Sequence, residues 1–313
     1  AIERVKWALG QAPKTLPPAE QPEFLTDAES SLMTHDRWTP RGVHRVPIHF
    51  GHGVRGNLYF KDGAPTPMPV VVWLHPLSYH SGYNEGYGVQ GTTVYQRLAE
   101  NGFAVIAYDQ CGFGLRLLEG RDFYKNHPRW SKLGRMVMDA RAAVSFAVEG
   151  RDAAKSAIPE FDTKRVFLLG YSSGALSAMY AGALDDRIAG VACFSGWTPL
   201  RDTRNAKVTG GNRRLWEQHA LQPRLGLFDG RESEMPFDYD DVLGLVLPKP
   251  CLVVTPKRDR YADFSAVVEV IDKVRSAKPR IAKGSFAWLA PDDTNRFQAD
   301  QHQEFINWTK TLE

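Results

Sequence analysis

Cysteine is scarce in this sequence: Cys111, Cys193 and Cys251 are three residues in a chain of 313. The number is odd, no C-x-x-C pair occurs and no histidine stands at zinc-finger spacing, which excludes a disulfide framework and a structural zinc. Each thiol sits in or just after an apolar strand-like run, the setting of a small buried hydrophobe. Long apolar runs are lacking as well. Val70 to Leu74 is the longest nearly apolar stretch, far below the roughly 20 residues a membrane helix needs, so no membrane span is expected. Neither sign of charge is in excess. The 39 basic and 36 acidic residues are interspersed and leave +3, a mildly basic surface and not a nucleic-acid footprint. No H-E-x-x-H or comparable ligand spacing occurs, so no metal site is expected. Internal repeats and low-complexity tracts are absent too.

What is present is an ordinary globular mixture, 43% hydrophobic and 24% charged with 20 Pro and 27 Gly, which excludes a disordered or fibrous chain. The length allows one large domain or two small ones. The chain starts at Ala1 without Met or a signal-like apolar segment, as in a processed secreted protein or a trimmed chain, and a secreted or periplasmic location is favoured over a cytoplasmic one. The sequon Asn307-Trp308-Thr309 falls in a helical tail and is read as accidental.

Residues 1–42 carry Pro13, Pro17, Pro18, Pro22 and Pro40 and read as an arm packed on the domain, with one short helix from Arg4 to Leu9. From Val43 the pattern changes. Val46 to Phe50 and Arg55 to Phe60 alternate as an antiparallel pair. Apolar runs then alternate with helical stretches: 70–74, 103–108, 165–169, 188–194, 251–254 and 285–289 against 93–101, 133–148, 174–184, 262–274 and 301–312. Met136, Ala140, Ala143, Val144 and Ala147 share one face of a helix. Strands that are apolar throughout, separated by helices, predict an α/β fold with a mostly parallel sheet covered on both faces. Residues 43–313 form that domain. Residues 196–246 break the alternation with Gly210-Gly211, Arg213-Arg214, Trp216, His219, Phe228 and Phe237, and read as a cap-like insertion at one end of the sheet.

The sharpest chemical signal is Gly170-Tyr171-Ser172-Ser173-Gly174, lying between an apolar strand and a small-residue helix. A tight strand-to-helix turn lifts its central serine above the sheet at a helix N-terminus, so Ser172 is the candidate nucleophile. A serine hydroxyl needs a base to take its proton and an acid to orient that base. The expected order is serine, acid, histidine. Asp259 follows the 251–254 strand, with Asp263 as rival and helix cap. His302 is the histidine that follows either acid, with His75 and His80 next in line. Backbone N–H groups of Ser173 and Leu77 would form the oxyanion site, because Pro76 has none to give. His75, Tyr79, Tyr171 and Trp197 are candidate substrate-binding residues. Asp122 to Trp130 carries further polar groups that could line the pocket, and Asp109 to Gly114 reads as a supporting turn.

With G-Y-S-S-G at Ser172, H-P-L-S-Y from His75, D-Q-C-G-F-G from Asp109, the segment Pro128 to Met136 and the Asp259 loop, residues 43–313 resemble the α/β-hydrolase superfamily. Within it the chain is most similar to bacterial dienelactone-hydrolase-like and acetyl-xylan-esterase-like proteins. Pro76 stands where the oxyanion loop commonly has glycine, and His302 lacks the usual Gly-His setting. The resemblance implies an eight-stranded sheet, a Ser-His-Asp triad, no cofactor, and small-molecule or polysaccharide-linked esters as substrates, acetyl or aryl esters among them. The expectation is a serine hydrolase of carboxylic esters. A catalytically inactive binding protein of the same fold is the alternative, and a small peptidase a third.

Overall fold

The apolar runs lie side by side in one twisted sheet. The computed structural model describes residues 1–14, 16, 20–24 (backbone), 42–84, 92–149, 158–202, 211–277 and 285–312. Arm residues 17–19 and 25–41, with Pro17, Pro18 and Pro40, and insertion residues 203–210, with Gly210, lie outside the described residues. In chain order the elements are α1 (Ile2–Leu9), β1 (Glu20–Phe24), β2 (Val43–Gly51), β3 (Val54–Lys61), β4 (Met68–Leu74), α2 (Val94–Glu100), β5 (Ala104–Tyr108), α3 (Leu117–Asn126), α4 (Lys132–Val148), β6 (Phe161–Tyr171), α5 (Ser173–Leu184), β7 (Gly190–Phe194), α6 (Tyr239–Val246), β8 (Cys251–Val254), α7 (Phe264–Ala277), β9 (Phe286–Leu289) and α8 (Ala299–Lys310). The strands of the described residues run β1-β2-β3-β5-β4-β6-β7-β8-β9. Pairing is antiparallel from β1 to the β3–β5 contact and parallel from there on.

This is an α/β-hydrolase fold, with one strand more than the eight expected. The extra strand is β1, which adds the arm to the sheet edge along β2. Pro22 argues against a central strand but is tolerated at an edge, where its missing N–H leaves no ladder partner unpaired. Two further helices escaped the sequence pattern. The segment 117–126 is α3, and α6 lies inside the insertion behind a capping box made by Asp238 and Asp241.

The β4 run shows why both faces must be covered. Val70, Val72 and Leu74 enter one core, whereas Val71 and Trp73 enter the other, as period-2 alternation requires. The first core is closed by residues of α1, α4, α5, α6 and α7, the second by residues of α2 and α8. All three cysteines are buried and free. No helix among the described residues is long and apolar enough to cross a membrane. The parallel strands leave their carboxyl ends on one edge, the place where ligands bind in such sheets.

A buried ionic cluster fastens that edge to the helices behind it. Arg116, in the turn between β5 and α3, donates to Asp139 Oδ2 (2.8 Å), to both oxygens of Glu119 (2.7 and 2.9 Å) and to the Asp109 carbonyl (3.0 Å). Arg135 pairs with Asp139 and Glu119 from α4 at 3.2 Å each. Asp139 is fully buried. Removing one partner strands a charge without water. Arg116→Met is therefore expected to cost about 3–5 kcal/mol in chemical denaturation, and the added change Asp139→Leu to recover much of it.

Candidate active site

Ser172 adopts φ 55° and ψ −119° between β6 and α5. A non-glycine residue rarely takes this conformation, so the surroundings must hold it there. They do so by close crossings of backbone. A Cβ on Gly170 would stand 2.2 Å from the Gly174 carbonyl oxygen, one on Gly174 would meet Leu74 O at 1.8 Å, and one on Gly196 would meet Ser172 O at 2.0 Å. The Ser172 N–H donates to Phe194 O on β7 at 2.9 Å. Ser173 opens α5, whose first N–H groups have no partner inside the helix. The Leu77 amide likewise makes no hydrogen bond among the described residues.

Ser172 borders a small cavity, about 20 Å³, shared with Leu77, Ser173, Trp197, Arg214, His219, Tyr239 and Tyr261. The insertion thus crosses the carboxyl edge and roofs the serine. It is firmly tied. Leu200 N and Arg201 N donate to the Asp238 carboxylate (2.8 and 2.9 Å), Asn212 Nδ2 to Leu200 O (3.2 Å), and Leu133 N of α4 to Leu221 O (3.0 Å). Tyr124 of α3 donates to Ala220 O. Trp197 packs against Tyr239 as a cavity wall. The Arg214 guanidinium lies 4.2 Å over the Tyr261 ring and makes no ion pair among the described residues. Tyr79, exposed in the loop after β4, places its hydroxyl 2.8 Å from His219 Nδ1. Burial, with the charges of Arg214 and Lys132, lowers the His219 pKa from its ordinary value and so favours the neutral imidazole.

Asp259 stands after β8, where its Oδ1 accepts from Tyr261 N at 2.8 Å. Its Oδ2 accepts from Asn295 Nδ2 at 3.0 Å, and Asn295 Oδ1 accepts from the Tyr171 hydroxyl at 2.7 Å. Asn295 lies in the loop between β9 and α8, where a triad of this order would bring its histidine. Tyr171 thus engages the Asp259 loop and is not among the cavity-lining residues. Asp263 acts as a cap: its Oδ1 accepts from Ala266 N (3.1 Å) and Ser265 Oγ (2.6 Å). His75 is locked below the site. Its Nδ1 donates to Pro76 O (2.7 Å) and its Nε2 accepts from Gln110 N (2.9 Å). His80 is exposed in a turn.

His302 is the expectation the geometry corrects. Its two ring nitrogens make no hydrogen bond, so it engages neither Ser172 nor Asp259. Its ring packs 4.7 Å from Phe297, which in turn stacks on Trp73 and Tyr171. The reason lies in where α8 begins. Gln298 caps it by a reciprocal pair with Gln301, so His302 falls on the same inward stripe as Phe305 and Ile306. His219 is not among the bases that the sequence suggests, although it stands in the 196–246 insertion. The visible signal was a histidine within an insertion between two strand ends.

Burial lowers the His302 pKa from 6.5 to about 4. Between these values the unfolded chain holds a proton that the folded one refuses, so stability falls as pH drops from 6.5 towards 4 and levels off below. The full difference is on the order of 3 kcal/mol. His302→Leu is expected to remove about half of the combined decline in urea titrations at pH 7, 5.5 and 4. The locked His75, also lowered to about 4 by burial, leaves a similar slope in the variant.

Residues 70–243, more than half of the chain, match the family described as serine aminopeptidase, S33. No curated protein sequence matches the chain. A promiscuous CE15 esterase from a marine bacterial metagenome superposes with TM-score 0.68 at 15% identity, covering 99% of this chain and 89% of that one. A glucuronoyl esterase from Solibacter usitatus gives 0.70 at 14%, covering 99% and 91%. Acetyl xylan esterase 1 from Thermoanaerobacterium sp. JW/SL YS485 gives 0.60 at 13%, covering 99% and 93%. The match across β4 to α6, which holds the elbow and the roof of the cavity, places this chain in the serine aminopeptidase S33 family of α/β-hydrolases.

Proposed function

We propose that this protein is a serine hydrolase that cleaves carboxylic esters through an acyl-enzyme. The observation that carries the reading is Ser172, held at φ 55° on the turn into α5 and opening onto a cavity. In this reading the Ser172 oxygen attacks the ester carbonyl, and the N–H groups of Ser173 and Leu77 stabilise the oxyanion. The alkoxide leaves with a proton, and water then releases the acid from Ser172. Asp259 would serve as an oriented carboxylate, a role supported by its hydrogen bonds from Tyr261 N and Asn295 Nδ2. Trp197 shapes the acyl or alcohol pocket, while Tyr79 acts on it through His219 and His75 holds the end of β4 through Gln110.

The enclosed space beside Ser172 is small, about 20 Å³, which favours a short acyl group over a long one. The glucuronoyl and acetyl xylan esterases that share its fold make carbohydrate-linked acetyl and uronoyl esters the first natural substrates to try. One observation favours a second reading, a binding protein that keeps the fold without turnover: Asn295, which cannot act as a base, occupies the partner position of Asp259.

Intact mass after fluorophosphonate treatment separates the two. A single adduct on the wild type and none on Ser172→Ala is expected, together with loss of p-nitrophenyl acetate turnover and an unchanged melt. A folded wild-type protein with neither adduct nor turnover leaves the binding protein. Among p-nitrophenyl esters, kcat/KM for acetate is expected to exceed that for decanoate by about tenfold or more, because the longer chain outgrows the cavity. Faster turnover of aminoacyl p-nitroanilides than of the matched esters would favour the peptidase activity for which the family is described.

A further inference from the structure

We infer that His219, supplied by the insertion and oriented by Tyr79, is the general base that activates Ser172. The inference rests on the serine-hydrolase reading and names the group that reading leaves open.

Three independent placements converge on it. First, His219 is the histidine that borders the Ser172 cavity among the described residues. Second, the other histidines near the sheet edge are committed or remote. His75 uses both nitrogens in the Pro76 and Gln110 hydrogen bonds, and His302 packs on Phe297. Third, the loop after β9 offers Asn295 to Asp259, and an amide nitrogen takes no proton.

The His219–Tyr79 contact has the form the role requires. When Nδ1–H donates to the Tyr79 oxygen at 2.8 Å, the lone pair is left on Nε2, which makes no other hydrogen bond among the described residues. The backbone fixes the ring from behind: His219 N donates to Arg214 O (3.1 Å), and Ala220 O accepts from Tyr124. Charged and titratable groups around the ring are Arg214 on its own turn, Lys132 at the start of α4 and Tyr79 from the loop after β4. Both cations oppose a second positive charge, which keeps the imidazole in its proton-accepting form.

The proton path closes. As the Ser172 Oγ–C bond forms, the hydroxyl proton passes to His219 Nε2. The carbonyl π pair becomes the oxyanion. Collapse breaks the C–O bond to the alcohol, and His219 returns the proton to that oxygen. In the second half water adds to the acyl carbon, its proton goes to His219, and collapse frees Ser172, which recovers the proton as the acid departs. Tyr79 touches no reacting atom and is a positioning residue.

The test uses the full chain with p-nitrophenyl acetate. His219→Ala is expected to lose about 10²–10⁴-fold in kcat/KM, with KM little changed, and to regain rate on addition of imidazole. His219→Gln, which can still hold the Tyr79 hydrogen bond, should lose a similar factor and serves where the alanine variant melts early. The acid limb of kcat/KM in the wild type should lie below pH 6.5, and Tyr79→Phe should move it while lowering kcat. Retention of activity within a few-fold in both His219 variants, or its loss in His302→Leu with His219→Ala active, overturns the assignment. A wild type without fluorophosphonate adduct fails the hydrolase reading itself. An adduct that persists at wild-type rate in His219→Gln fails the base alone.

Discussion

The architecture of this site depends on one steric constraint, the near-contact of backbone around Ser172. Gly170, Gly174 and Gly196 are the three positions where an added Cβ would run into carbonyl groups of the elbow or of β4. The absence of side chains there lets β6 turn into α5 over a single residue. It also brings the end of β4 and the start of the insertion against that residue. The strain at φ 55° is thus maintained by hydrogen bonding and packing of three strands, and the elbow cannot relax without separating β6 from β7. Everything chemical about the edge follows: a fixed hydroxyl, the head of a helix beneath it, and a roof that must start at Ser195-Gly196.

Much of this was legible in the sequence because it rests on local rules. The apolar runs marked β4 to β9, the Gly-x-Ser-x-Gly spacing marked the elbow, and the small residues of α5 marked a helix pressed between β6, β7 and α6. Ser172 stands on that turn, and Leu77, Ser173 and Trp197 border the cavity it opens onto. The N-terminal strand was not legible, since β1 is itself the sheet edge, paired with β2 among the described residues, and Pro22 masks the pattern. The helix at 117–126 was hidden for a different reason: most of its surface is solvent-facing, so Gly120 and Phe123 are its buried residues and no stripe emerges.

His302 shows where order in the chain stops being a guide. Counting histidines after the acid selects it, but the start of α8 is set by the Gln298–Gln301 pair, and helical periodicity then carries the ring into the apolar core. A capping interaction four residues away outweighs the topological argument. Conversely, nothing local marks His219. Its position depends on contacts of high sequence separation, 140 residues to Tyr79 and 96 between Ala220 and Tyr124. Pairings of that kind are properties of the folded insertion and not of any window of sequence.

The Asp259–Asn295–Tyr171 chain gives the edge a further logic. An imidazole between carboxylate and serine must move a proton, whereas an amide between carboxylate and phenol only bridges them. Asn295 satisfies Asp259 with one end and Tyr171 with the other, which ties the loop after β8 and the loop after β9 to the elbow residue preceding Ser172. Burial raises the Tyr171 pKa to about 12, so the phenol stays a donor throughout the working range. The carboxylate then serves as a fixed charge near Arg214 and Tyr261, offsetting the cation that borders the cavity. Proton chemistry at this edge falls to the insertion, and the sheet supplies the rigid serine against which it works.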